Sequence, residues 1–445
     1  MAAGPQLAFA ETLTEAVRSA LTTNPTVRAE SAEARAAALE LLQLQGDYLP
    51  TVSLFGDVRS ETIDDPANLS ALDNNDTKTA RQAGLQAEIT LYDGLARENR
   101  VFAGSARVDG RIFSLLDASE TLALTAVEAY VDVLRRQALA VVARENVARH
   151  EELGAQVRQA VEGGRLPASD GFEAENRILA TRVAELRVRE AIANANSRYT
   201  RVIGKAPTGG MAVPRVRNLP QSAAQTVQLA VDNSFRVRAA DTAIRQRQYE
   251  RVIVEADRRP RVSLNAGVTT GEDLAGSAGS RDESFVGLQL NWTLFKGGRD
   301  PETRALIERR EKAILERNAA IRDVREMAER TWHAHRADLA RLRLLTDQEA
   351  ANERIVAQYR EEFAAGTRTL LDLLDAERAL FNVRFQKVSA ASTVSFNQYR
   401  LVAAQSKLAN MFGIAPANMT LLPDFEARAL QRPASVFNTE VAPLQ

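Results

Sequence analysis

The chain is written twice. Val27-Arg28-Ala29 returns as Val237-Arg238-Ala239, and Pro50-Thr51-Val52-Ser53-Leu54 returns as Pro260-Arg261-Val262-Ser263-Leu264, both displaced by 210 residues. Leu85-Gln86 through Thr90-Leu91-Tyr92-Asp93-Gly94 returns as Leu288-Gln289 through Thr293-Leu294-Phe295-Lys296-Gly297, displaced by 203. Gly204-Lys205-Ala206-Pro207 returns as Gly413-Ile414-Ala415-Pro416, displaced by 209. Four matches in order with nearly constant displacement are the mark of an internal duplication. The fold must therefore be two copies of one unit, 13–207 and 223–416. A Pro-punctuated linker, 208–222, joins them, and a tail, 417–445, follows. The tail carries Pro423, Pro433 and Pro443 without a clear period, and is expected to be irregular. Residues 1–12 contain Ala8-Phe9-Ala10, a small-x-small pattern that reads as the remnant of a trimmed signal peptide or as an irregular start.

Each unit reads in the same order. A first helix is expected at 14–46 and at 223–256. Strands with two-residue alternation follow at 51–60 and 83–92, and at 262–270 and 285–294. Val52, Leu54 and Val58 oppose Ser53, Asp57 and Arg59; Val286, Leu288, Leu290 and Trp292 oppose Gln289, Asn291 and Thr293. A soluble sheet packed on a helix would show the same alternation. Two further features point to a membrane barrel. The strands have the length that crosses an outer membrane, and the loops 61–80 and 270–283 are long and polar, as on an external barrel rim. Four strands cannot close a barrel, and lipid does not tolerate open edges, so several chains must share one. Tyr92, Phe295 and Trp292 near the strand ends fit either an interfacial aromatic belt or packing between barrel and helices.

Long helices are expected at 96–162, 168–203, 299–363 and 369–412. They lack interior proline; Pro301 falls in a first turn, where it is tolerated. Leu122, Val127, Tyr130, Leu134 and Val141 illustrate the helical spacing of their apolar residues. A helix of this length runs to roughly 100 Å at about 1.5 Å per residue, more than any compact domain needs. Such hairpins are struts or the walls of a tube.

Composition removes other classes. With 45% hydrophobic and 26% charged residues the chain is not disordered, and 57 basic against 58 acidic residues give no sign of a nucleic-acid binder. There is no cysteine, hence no disulfide, thiolate nucleophile or cysteine-based metal site. His333 and His335 are two apart and diverge on a helix, so no metal pair is expected; nucleotide-binding and nucleophile-elbow motifs are missing, and neither a cofactor nor an enzyme activity is indicated. No apolar run is long enough for a transmembrane helix.

The segment Ala365-Gly366-Thr367-Arg368-Thr369-Leu370-Leu371-Asp372-Leu373-Leu374-Asp375-Ala376 resembles the V-G-T-R-T-x-x-D-V-L-D-A tip of TolC-family outer-membrane factors. Gly163-Gly164-Arg165-Leu166-Pro167-Ala168-Ser169-Asp170 is similar to the other tip of that family, and the likeness runs in order over about 13–416. The resemblance implies a mainly α fold with transmembrane β-strands. Three chains would form a twelve-stranded barrel and a helical tunnel across the periplasm, embedded in outer-membrane lipid. It implies a passive exit duct, opened at its periplasmic tips by a periplasmic adaptor and an inner-membrane ABC or RND transporter. The T-R-T-x-x-D-x-L-D-A-E form and the lack of cysteine lean to type I protein secretion, with multidrug efflux as the alternative. A soluble periplasmic coiled-coil scaffold would explain the helices but not the strands.

The resemblance also implies site residues. Arg368 would bond near Ser169, and Phe363 would face Asp170, closing the periplasmic gate. The family archetype has Tyr at the place of Phe363, so one gate hydrogen bond, worth roughly 1–3 kcal/mol, is expected to be missing here. Asp372 and Asp375 share a helix face and would form cation-selecting rings at the pore constriction; alternatively they are helix N-terminal acids. Gly164, Arg165, Gly366 and Thr367 are candidate adaptor-docking positions, or simply the turns between helices.

Overall fold

The computed structural model describes residues 12–63, 77–276 and 278–414. Within them the duplication is complete at the level of elements. The first unit comprises α1 (Leu13–Thr23), α2 (Pro25–Gly46), β1 (Thr51–Thr62), β2 (Thr77–Tyr92), α3 (Ala96–Glu162) and α4 (Ala168–Ile203). The second comprises α5 (Ala223–Asn233), α6 (Phe235–Ala256), β3 (Arg261–Glu272), β4 (Ser280–Asn291), α7 (Arg299–Ala364) and α8 (Leu370–Ala403), with a short α9 (Leu408–Met411) after it. The start and tail, 1–11 and 415–445, and most of the 61–80 loop lie outside the described residues.

The single first helix expected in each unit is two helices. Asn24 accepts from the Thr26 backbone N–H at 3.0 Å and caps α2, with Pro25 pre-set for its first position. Ser234 holds the equivalent place 210 residues later, accepting from Val237 N–H at 3.3 Å to cap α6. A side chain that offers the backbone an acceptor stops one helix and starts another at the same point in both units. α1 itself begins with a capping box: Thr12 and Glu15 each accept the other's backbone N–H.

The strands are longer than the alternation alone marked, twelve residues for β1, β3 and β4 and sixteen for β2. They form one antiparallel meander, β1-β2-β3-β4. Its register aligns Val52, Ala87, Ala266 and Val286 in one cross-sheet row. Directly paired residues share a face. The apolar sets of all four strands therefore lie on the same side. That side is bare: Val52, Leu54, Val58, Val286, Leu288 and Leu290 are all exposed. The other side is polar, with Asn265 donating to Gln289 at 3.0 Å.

α3, of 67 residues, and α7, of 66, each fold back on a shorter partner, α4 and α8. At about 1.5 Å per residue each hairpin is roughly 100 Å long. Midway along them lies the main core, which we call the equator. α1, α2, α3, α4, α8 and α9 converge there around Tyr130, Tyr199 and Tyr399, each at most 1% exposed. The linker crosses this core: Tyr130 Oη bonds the Ala212 backbone, and Tyr399 Oη donates to Pro214 O at 2.6 Å. Burial pushes the Tyr399 phenol up to about 12, so it remains a donor.

The last long helix ends earlier than the sequence pattern indicated. α8 stops at Ala403, Ser406 takes a left-handed φ of 53°, and α9 restarts at Leu408. The restart is capped by α3: the Glu120 carboxylate accepts the N–H groups of Leu408 at 2.8 Å and Ala409 at 3.0 Å. Desolvation raises the Glu120 carboxyl to about 7, the two backbone bonds opposing it and Asp117 adding to it.

Candidate functional site: the hairpin tips

Both hairpins turn in the same way. Gly164 N–H donates to Val161 O and Arg165 N–H to Ala160 O, at 3.0 and 2.8 Å. In the second hairpin Gly366 N–H donates to Phe363 O and Thr367 N–H to Glu362 O, at 3.0 and 2.9 Å. Gly164 and Gly366 have φ of 72° and 78°, the left-handed geometry that ends a helix cheaply only at glycine. Thr367 adds a side-chain bond to Glu362 O at 3.0 Å. Gly164, Arg165, Gly366 and Thr367 are all exposed at the ends of the hairpins.

Within one chain, the residues expected at the gate have the following partners. Arg368 Nε donates to Glu362 Oε2 at 2.8 Å, and its guanidinium lies 4.0 Å from the Tyr359 ring centre. Hydrogen bonds from Gln358 and Arg368 hold the Glu362 carboxyl below its usual range. Ser169 Oγ faces Asp170 Oδ1 at 3.5 Å. Among the described residues no hydrogen bond within the chain joins Arg368 to Ser169 or Asp170. The turn reverses the chain between residues 362 and 368 and sets the Arg368 side chain beside Glu362. Phe363 does not address Asp170 through a polar contact either. It packs with Leu166, Val161 and Tyr359 on a small apolar cluster of Leu153, Val157, Ala174, Leu370, Leu373 and Leu374.

Asp372 is part of a helix cap. Thr369 caps α8, accepting from Asp372 N–H at 3.2 Å while its hydroxyl donates to Asp372 Oδ2 at 2.7 Å. Asp375 is exposed and lies 3.9 Å from Arg177 of the first hairpin. The side chains of Asp372 and Asp375 are both partly open to water.

Sequence reasoning passed over Glu377, the most buried acid of the tip at 3% exposure, and its partners Arg149 and Arg360. A signal was available: Glu377 falls on the apolar stripe of Leu370, Leu373, Leu374 and Leu380. Arg149 and Arg360 also line, with Arg165, Leu166, Phe363 and Gly366, a groove between the two hairpins. For Trp292, whose role the sequence left open, the structure gives a bond: Nε1 donates to Arg258 O at 3.1 Å, tying the end of β4 to the end of α6.

An open four-stranded sheet with a bare apolar face, carried on two hairpins of roughly 100 Å, defines a channel-forming subunit of an outer membrane. The chain belongs to the outer membrane efflux protein family, whose model matches residues 16–205 and again 226–405, one match in each unit. It is similar to the outer membrane efflux protein BepC of Brucella suis biovar 1, 26% identical over 93% of this chain and 89% of that one. It is also similar to the alkaline protease secretion protein AprF of Pseudomonas aeruginosa, 26% identical over 74% of this chain and 68% of that one. Its fold is that of CusC, solved in a study of transmembrane channel formation, with TM-score 0.78 and 17% identity over 89% of this chain and 92% of that one. The protein is thus an outer-membrane protein reaching into the periplasm, and its family is one of channels rather than enzymes.

Proposed function

We propose that the chain is one third of an exit duct for type I protein secretion. Its four strands would contribute to a shared twelve-stranded barrel, and its hairpins to a tunnel gated at the tips. The observation that carries the reading is the sheet: β1 and β4 have unpaired edges and every residue of β4 is exposed, which in lipid calls for neighbouring strands from further copies. Substrate would pass without any bond being made or broken.

In this reading Arg368, Ser169, Asp170 and Phe363 form the periplasmic gate. Arg368 reaches a neighbouring copy's first tip only after leaving Glu362, so closure exchanges one charged partner for another. Asp372 and Asp375 ring the constriction. Gly164, Arg165, Gly366 and Thr367 present the surface to which a periplasmic adaptor and an inner-membrane transporter dock. The Thr367–Glu377 segment and the likeness to AprF support protein secretion; the likeness to BepC supports drug efflux as a second reading.

A deletion strain separates the two. Loss of one or more secreted proteins from the medium, with unchanged drug tolerance, is the expected result. Hypersensitivity to drugs with intact secretion would replace secretion by efflux. Recovery of the native protein in the soluble fraction without detergent would end the channel reading.

A further inference from the structure

Three helices meet at one buried carboxylate just inside the tips. Glu377, two turns into α8, is 3% exposed and sits between Leu373, Leu374 and Leu380 on the packed face of the helix. A carboxylate at such a position is costly unless it is paired. Its Oε1 accepts from Arg360 Nε of α7 at 3.0 Å and from a second nitrogen of the same guanidinium. Its Oε2 lies 3.8 Å from Arg149 Nη1 of α3. One oxygen is thus held within the second hairpin and the other faces the first. A second ion pair across the hairpins at the tip, Arg177 with Asp375, is 3.9 Å long with side chains 29% and 55% exposed. Water and salt screen that pair far more than the one sheltered at Glu377.

The two arms of Glu377 are unequal, and the inequality is useful. We propose that Glu377 is the lock between the two hairpins of a chain, with Arg149 as its releasable half and Arg360 as its permanent half. The proposal rests on the gated-channel reading above and locates part of the gate's closing energy within one chain. When α7 and α8 swing away from α3, the long Arg149 arm breaks and the bidentate Arg360 arm travels with Glu377. No unpaired charge is left buried, which is what makes a buried ion pair expensive to open. Arg149, already 31% exposed and on the wall of the groove, moves into water. A lock of this kind works without Arg368 and without a hydroxyl at position 363.

The test uses the full-length protein reconstituted in planar bilayers. Arg149→Gln keeps the Arg360–Glu377 pair, so it should melt like the wild type and conduct severalfold more in the resting state. Arg149→Lys retains the charge and should conduct like the wild type. If Arg149→Gln conducts like the wild type in a membrane where the wild type forms pores, the lock is wrong and the channel stands. If neither wild type nor variant forms pores, the channel reading falls and the lock with it.

Discussion

At the equator, Tyr130, Tyr199 and Tyr399 are buried from every side, and the linker is drawn across them by hydrogen bonds from two of the three hydroxyls. At the tips, the same long helices are joined by a few leucines and by ion pairs whose arginines reach water. The first region uses apolar area to hold six helices in one arrangement. The second is held by a smaller apolar cluster and by partly exposed ion pairs. If the tips gate the channel as proposed, stability and gating fall to different stretches of the same helices, and that division can be tested.

The largest effect is expected at the equator. Tyr130→Ala removes a fully buried ring and its bonds to Ala212, and should cost about 3–5 kcal/mol in unfolding experiments. If it costs no more than a tip substitution, the division is false. Next comes pH. The folded-state Glu120 carboxyl is raised to about 7 from an ordinary 4.5, so its protonated form favours folding. That stability is fully present below pH 4.5 and is lost as pH rises towards 7, a change on the order of 3 kcal/mol. The groups around the same cavity are Asp117, Arg236, Asp323 and Arg400. Comparing melting curves of Glu120→Gln and wild type across this window isolates the contribution of Glu120; parallel curves would remove it. The smallest stability effect belongs to the tip. Asp372→Asn with Asp375→Asn should cost roughly 0.3–1 kcal/mol, the worth of acids near a helix N-terminus. The same pair of changes should nevertheless lower cation selectivity in bilayers. Unchanged selectivity would reduce Asp372 to a cap and Asp375 to a surface acid.

Much of this molecule was legible as text. The long helices could be read because apolar residues recur at helical spacing and because Gly163-Gly164 and Gly366 interrupt them. The splits at Asn24 and Ser234 were also present in the sequence. Asn24 followed by Pro25 is a cap signal that the single helix expected at 14–46 passed over. The end of α8 was not legible. Ser406 interrupts the helix, and the acceptor that restarts it, Glu120, comes from 288 residues away in the other unit. The contacts at the tip were legible only in part. The motif marked Arg368 and Asp372 as important, but the partners Glu362 and Thr369 follow from the geometry of a turn and a cap.

The sequence by itself determined the duplication, the kind of each element and the apolar face of each strand. Those properties are local, repeating at two residues for strands and about three and a half for helices. Only the tertiary structure decided which buried polar groups meet. Glu120 with α9, Tyr399 with the linker, and Glu377 between Arg149 and Arg360 are pairings between distant segments. A charged or polar group inside a packed helix face must find a partner, but nothing in its neighbours along the chain says which one.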